Sequence, residues 1–142
     1  MIYFMKRKNL RATGRHFERL AGNFLAKQGL QILEYNYRCA RAEIDIIARD
    51  GNCLVFCEVK SRADSSGTLP ECADDLVLAD SPETTGALEA VTPHKQAQIS
   101  RAALYYLTAH GMTDAPCRFD VIGITGRRLT WIKNAFDYTK GV

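Results

Sequence analysis

The stretch that decides the fold is Glu43-Ile44-Asp45-Ile46-Ile47-Ala48-Arg49-Asp50-Gly51-Asn52-Cys53-Leu54-Val55-Phe56-Cys57-Glu58-Val59-Lys60. Two runs rich in β-branched and apolar residues flank Asp50-Gly51, a dipeptide that signals a tight hairpin. With Asp50 and Gly51 as the loop, Arg49 pairs with Asn52, Glu43 lies opposite Glu58 and Asp45 opposite Phe56. Paired residues project to one face and side chains alternate along a strand, so this register predicts Glu43, Asp45, Glu58 and Lys60 on a common face. A four-residue loop keeps that parity, whereas a three-residue loop breaks it.

Three carboxylates and one ammonium on a single sheet face are costly unless something positive joins them. A hard divalent cation such as Mg²⁺ or Mn²⁺ takes one or two carboxylates and completes its shell with water and phosphate oxygens. It polarises a phosphodiester, and an adjacent lysine steadies the charge that develops. The plainer alternative is a set of surface ion pairs, with Glu43 and Glu58 paired to Lys60, Arg62 or Arg41.

Outward from the hairpin, Phe17, Leu20, Ala21, Phe24 and Leu25 recur at helical spacing, which predicts a first helix from Thr13, as N-cap, to about Gln28 with Gly29 as the stop. Leu30 to Tyr37 reads as a strand, Arg41 to Arg49 as a second and Cys53 to Lys60 as a third. Thr92-Pro93 opens another helix whose inward stripe is Ile99, Ala102, Ala103 and Tyr106 and whose terminator is Gly111. Cys117 to Ile124 is a further strand, and Leu129 to Ile132 a short last one. Helix, three strands, helix and two strands predict a mixed α/β packing within one domain spanning residues 1–142.

Charge is distributed unevenly. Between Ala63 and Pro93 there is no Lys or Arg but seven acids, so the rest of the chain carries nineteen basic against nine acidic residues. The acidic stretch, about 64–86, is rich in Ser, Thr, Asp, Pro and Gly and reads as a long exposed loop or insertion. Lys6, Arg7, Lys8, Arg11, Arg15 and Arg19 crowd the amino-terminal end, where they would meet the phosphates of a nucleic acid, or else form a solvated basic terminus. Five cysteines without a C-x-x-C pair predict reduced thiols and a cytoplasmic setting. Met1 to Met5 runs straight into basic residues, the reverse of a secretory signal, and no membrane partner is expected.

Taken together, Gly14-Arg15-His16-Phe17-Glu18, Asn36-Tyr37-Arg38-Cys39, Glu43-Ile44-Asp45, Glu58-Val59-Lys60-Ser61-Arg62, Ala90-Val91-Thr92-Pro93-His94-Lys95 and Arg118-Phe119-Asp120-Val121 resemble the YraN-type family of small bacterial proteins. Within the PD-(D/E)xK nuclease superfamily, this family is similar to the Holliday-junction-resolvase-like branch. The resemblance implies a restriction-endonuclease-like αβββαβ core, a mixed central sheet flanked by helices. By position it makes Asp45, Glu58 and Lys60 the catalytic set, adds Glu18 from the first helix, and makes Asp45 and Glu58 ligands of Mg²⁺ or Mn²⁺. It implies a metal-dependent endonuclease acting on DNA, branched or single-stranded, with Lys95 at a position that contacts the site or a phosphate, while the charge distribution offers Arg11, Arg15, Arg19 and Arg62 as further nucleic-acid contacts. The alternative is a catalytically weak or inactive nucleic-acid-binding module of the same fold. Junction-cutting relatives act as two-fold dimers, so a homodimer stands beside a monomer as the expected assembly. Asp120, between Phe119 and Val121, reads as structural and outside the metal set. Two features depart from the family pattern: Ala42 stands where Gly is usual, and the acidic stretch is longer than the usual connection.

Overall fold

The computed structural model describes residues 2–39, 41–67 and 69–140, with side chains from Thr13 onward. Helix α1 (Ile2–Lys27) leads into three antiparallel strands, β1 (Gln31–Cys39), β2 (Ala42–Asp50) and β3 (Cys53–Arg62). A two-residue strand β4 (Val77–Leu78), a one-turn helix α2 (Ala87–Ala90) and helix α3 (Pro93–Ala109) follow, and β5 (Cys117–Thr125) and β6 (Arg128–Phe136) close the chain. The six strands form one sheet in the order β1-β2-β3-β5-β6-β4, with β3 and β5 parallel. This is the mixed α/β architecture expected, compatible with a restriction-endonuclease-like core.

Each face of the sheet has its own hydrophobic core. On one side Phe17, Leu20, Ala21 and Leu25 of α1 cover Ile46, Val55, Cys57 and Ile122. On the other, Ile99, Ala102, Ala103 and Tyr106 of α3 cover Ile44, Ile47, Phe56 and Phe119. Helix α3 starts and stops where its local signals place it. The Thr92 Oγ1 accepts the Lys95 N–H at 3.2 Å, Pro93 takes the first turn, and Gly111 beyond the end has φ +63°. No helix among the described residues is long and apolar enough to cross a membrane.

Three elements differ from the sequence expectation. Helix α1 does not begin at Thr13 but at Ile2, because the preceding residues contain no breaker and include the strong helix formers Met, Lys, Arg, Leu and Ala. Strand β6 runs to Phe136 rather than stopping at Ile132. The polar pair Lys133-Asn134 interrupts its apolar pattern, yet Asn134 takes φ +52° and donates its N–H to Asp120 Oδ1 at 2.9 Å, which carries the chain onward through a register shift. The hairpin loop is Gly51-Asn52, closed by the Asp50↔Cys53 pair, and not Asp50-Gly51. Gly51 has φ +62° at the first loop position, the geometry of a type II′ turn, which accepts Gly there.

The acidic stretch is largely exposed and is tied down at intervals. His16 Nε2 donates to the Pro70 carbonyl at 2.8 Å, and Lys27 pairs with Asp74. The Val77 N–H reaches the Arg127 carbonyl and the Ala79 N–H the Leu129 carbonyl, both at 2.8 Å, which makes β4. Thr85 is buried with its hydroxyl 2.6 Å from that of Thr130.

Candidate metal centre

The loop shift moves every partner in the hairpin by two residues and leaves side-chain parity intact. The β2/β3 ladder runs from Asp50↔Cys53 to Ile46↔Cys57 and stops there. The expected opposition of Glu43 and Glu58 is therefore replaced: one more step would set Asp45 opposite Glu58. At that point the strands part, and Asp45 Oδ2 accepts the Val59 N–H at 2.8 Å in place of a backbone rung.

The four charged residues also do not share one simple face. Ile46 lies in the core under α1, whereas Ile44, two residues earlier, lies in the core under α3. Regular alternation would keep them together, so β2 rolls over at Asp45. Glu43 and Asp45 thereby meet Glu18 of α1, and carboxylate oxygens of the three lie within 4.8 Å of one another. Glu58 continues the alternation of Leu54 and Phe56 toward α3, where Lys95 Nζ stands 3.8 Å and Lys60 Nζ 3.5 Å from its Oε1. Asp45 lies between the two groups, within hydrogen-bonding reach of both Glu18 and Glu58. Convergence comes from the fork between β2 and β3, not from a flat row of side chains.

Electrostatics reflect this crowding. Glu58 is only 4% exposed, and its Oε2 has no donor among the described residues. Burial first, and the Asp45 carboxyl second, push its pKa up to about 8, with Lys95 and Lys60 pulling back only in part. Glu18 is pushed up to about 7, by burial and then by Asp45, while the Asn36 side-chain amide works in the opposite direction. Oxygen donors of this kind, an orphaned buried oxygen and excess negative potential fit a hard divalent cation such as Mg²⁺ or Mn²⁺.

The structure gathers Glu18, Asp45, Glu58 and Lys60 and brings Lys95 into the same site. Arg62 lies two residues past Lys60, exposed, its Nε 3.3 Å from Thr125 Oγ1. A cavity of about 140 Å³ is lined by Lys60, Ser61 and Arg62 together with Thr85, Gly86 and Ala90. Arg15 and Arg19 are on the exposed side of α1, with the Arg19 guanidinium 4.1 Å above the Tyr35 ring. The side chain of Arg11 lies outside the described residues. Asp120 is fully buried and accepts hydrogen bonds from Arg118 Nε, Trp131 Nε1 and Asn134 N at 2.9–3.0 Å, a structural hub as expected.

Two residues join the candidate site beyond the catalytic set that the resemblance implies. Glu43, which the hairpin reading had already set on the acidic face, belongs to the tightest carboxylate group. Asn36 stands near enough to Glu18 for its side-chain amide to favour the ionised carboxyl. Its signal was available: Asn is depleted within strands and tolerates a left-handed backbone, so its presence inside an apolar strand run marks an irregularity.

A mixed sheet between helices, opening at its centre around one buried and three half-buried carboxyls and two lysines, defines an α/β protein of restriction-endonuclease-like build. The family model of Uncharacterised protein family UPF0102 matches residues 17–124. A UPF0102 protein of Syntrophus aciditrophicus is 39% identical over 144 residues, covering 99% of each chain. One from Alkalilimnicola ehrlichii is 41% identical, over 87% of this chain and 86% of its own. One from Geobacter sulfurreducens is 42% identical, over 84% of each. The chain belongs to the UPF0102, or YraN-type, family.

Proposed function

We propose that this protein is a metal-dependent phosphodiester hydrolase acting on DNA. The observation that carries the reading is the buried Glu58, with an orphaned oxygen, set beside Asp45 and beneath two lysines. A buried carboxyl crowded by a second carboxyl is costly unless a proton or a cation shares the site, and a divalent cation would relieve Glu58 and Asp45 together. Glu18, Glu43 and Asp45, with Glu58 on the far side of Asp45, would supply the oxygen ligands for Mg²⁺ or Mn²⁺, which would contribute Lewis-acid polarisation of the scissile phosphodiester.

The chain's own groups do the rest. Lys60 and Lys95 converge on one oxygen of Glu58, and their ammonium groups are placed to offset charge that grows on phosphoryl oxygens. Glu58 holds a proton near neutral pH and releases it when positive charge enters the site. Arg62, Arg15 and Arg19 lie on exposed surface where they can take flanking phosphates, and the surplus of basic residues outside the acidic stretch favours a polyanion. Polar burial and a set of four carboxyls are more than passive nucleic-acid binding requires, which favours hydrolysis over a binding module.

The test is cleavage of linear, nicked, flapped and four-way DNA with Mg²⁺ or Mn²⁺. Wild type should cut at least one of these, and Lys60→Ala should lower the rate by about 10²–10³-fold, the usual effect of removing one transition-state donor. DNA binding equal in both proteins with no cleavage by either replaces hydrolysis with the binding-module reading.

A further inference from the structure

We propose that Asn36 is the positioning residue of the carboxylate centre: its left-handed backbone rolls β1 in step with β2, and its side-chain amide holds Glu18 against Asp45. The inference rests on the metal-site reading above and deepens it by naming the group that assembles the site.

Among the described residues, Asn36 and Asn134 are the non-glycine residues with positive φ, and Asn36 has φ +55°. Asn adopts that region more readily than most residues, because its short polar side chain bonds locally. Tyr35 pairs with Ile46 and Tyr37 with Ile44, but the step between them, Asn36 facing Asp45, is not a ladder pair. Tyr35 packs into the core under α1 and Tyr37 into the core under α3, the same exchange of faces that separates Ile46 from Ile44. Both strands thus roll at one rung, and that rung carries Asn36 on one side and Asp45 on the other.

The chemistry explains why this rung matters. Glu18 faces two carboxyls, Asp45 and Glu43, and both favour its protonated form. In the absence of a donor, repulsion would turn the ionised side chain outward into water. The Asn36 amide is uncharged, so it offers Glu18 a hydrogen bond without competing with a cation for the carboxylates. Groups that orient metal ligands in this way typically alter metal affinity by 10–100-fold when removed.

The two roles separate by substitution in the full chain. Asn36→Gly keeps the left-handed backbone and deletes the amide, Asn36→Asp keeps the shape but turns a donor into an acceptor, and Asn36→Ala loses both. Mn²⁺ titration should give an affinity about tenfold or more weaker for Asn36→Gly and Asn36→Asp than for wild type. In EDTA the melting temperature of Asn36→Gly should stay near that of wild type, while Asn36→Ala should melt lower. A metal-free readout stands beside this: the side-chain amide resonances of Asn36 should shift when Glu18 is replaced by Ala. Wild-type Mn²⁺ affinity in Asn36→Gly, or amide resonances indifferent to Glu18→Ala, overturns the proposal. Absence of Mn²⁺ binding by wild type, with the amide still responding to Glu18, would instead overturn the metal reading and leave the Asn36–Glu18 coupling in place.

Discussion

Glu58 and Glu18 set the pH behaviour of the folded chain. Their folded-state pKa values, about 8 and about 7, lie above the ordinary 4.5, so between these limits the folded protein holds protons that the unfolded chain has released. Stability then falls as pH rises, because the native state binds more protons than the unfolded state. The contribution is fully present below about pH 4.5 and is lost as pH passes through about 7 and then about 8. Thermal unfolding in EDTA from about pH 5 to about pH 9 should show a melting temperature that declines across this window, and Glu58→Gln should flatten the decline. A wild-type profile that is level or rises there contradicts the crowding described. The type of these residues was legible in the sequence, as acids inside apolar strand runs. Their protonation was not, because it depends on burial and on Asp45, both products of the tertiary fold.

At the scale of elements, Gly22 shows how α1 is docked so that Glu18 reaches the sheet. A Cβ at Gly22 would collide with the hydroxyl and ring of Tyr35, so the helix approaches β1 at a point where only glycine fits, directly beside the rung at Asn36. Gly22→Ala should cost about 1–3 kcal/mol by overpacking and should weaken Mn²⁺ binding by lifting Glu18 away. Tyr35→Phe added to it removes the hydroxyl nearest the collision, so the double variant should recover part of both losses, a coupling that urea unfolding and Mn²⁺ titration can measure. Strict additivity would sink this account. Elements specified by local signals were legible: α3 has its Thr-Pro start and glycine stop within a few residues of its ends. The hairpin register was not, since Gly51 can serve as either loop residue and each choice moves every pair by two. The roll of β1 and β2 was also hidden, because alternation assumes an even strand and the departure is set where Asn36 meets Asp45 across the ladder.

No single element contains the candidate centre: α1 gives Glu18, β2 gives Glu43 and Asp45, β3 gives Glu58 and Lys60, and α3 gives Lys95, drawn together where the two cores meet through the fork in the sheet. An unfolded chain cannot assemble such a site, so a cation that binds it must stabilise the whole fold. For a dissociation constant on the order of 1 mM, about 10 mM Mg²⁺ contributes roughly 1.4 kcal/mol, which for a chain of this size raises the melting temperature by roughly 3–6 °C. The proton count adds a signature that a general salt effect lacks. At about pH 6 a cation must displace protons from Glu18 and Glu58, whereas at about pH 8.5 both are largely ionised, so the rise in melting temperature should be larger at the higher pH. Asp45→Asn removes the carboxyl common to both halves of the cluster and should abolish the rise at either pH, with NaCl at matched ionic strength as the control. A shift of the same size in Asp45→Asn, or one indifferent to pH, would mean that Mg²⁺ acts on the surface at large and that the gathered carboxyls are not its site.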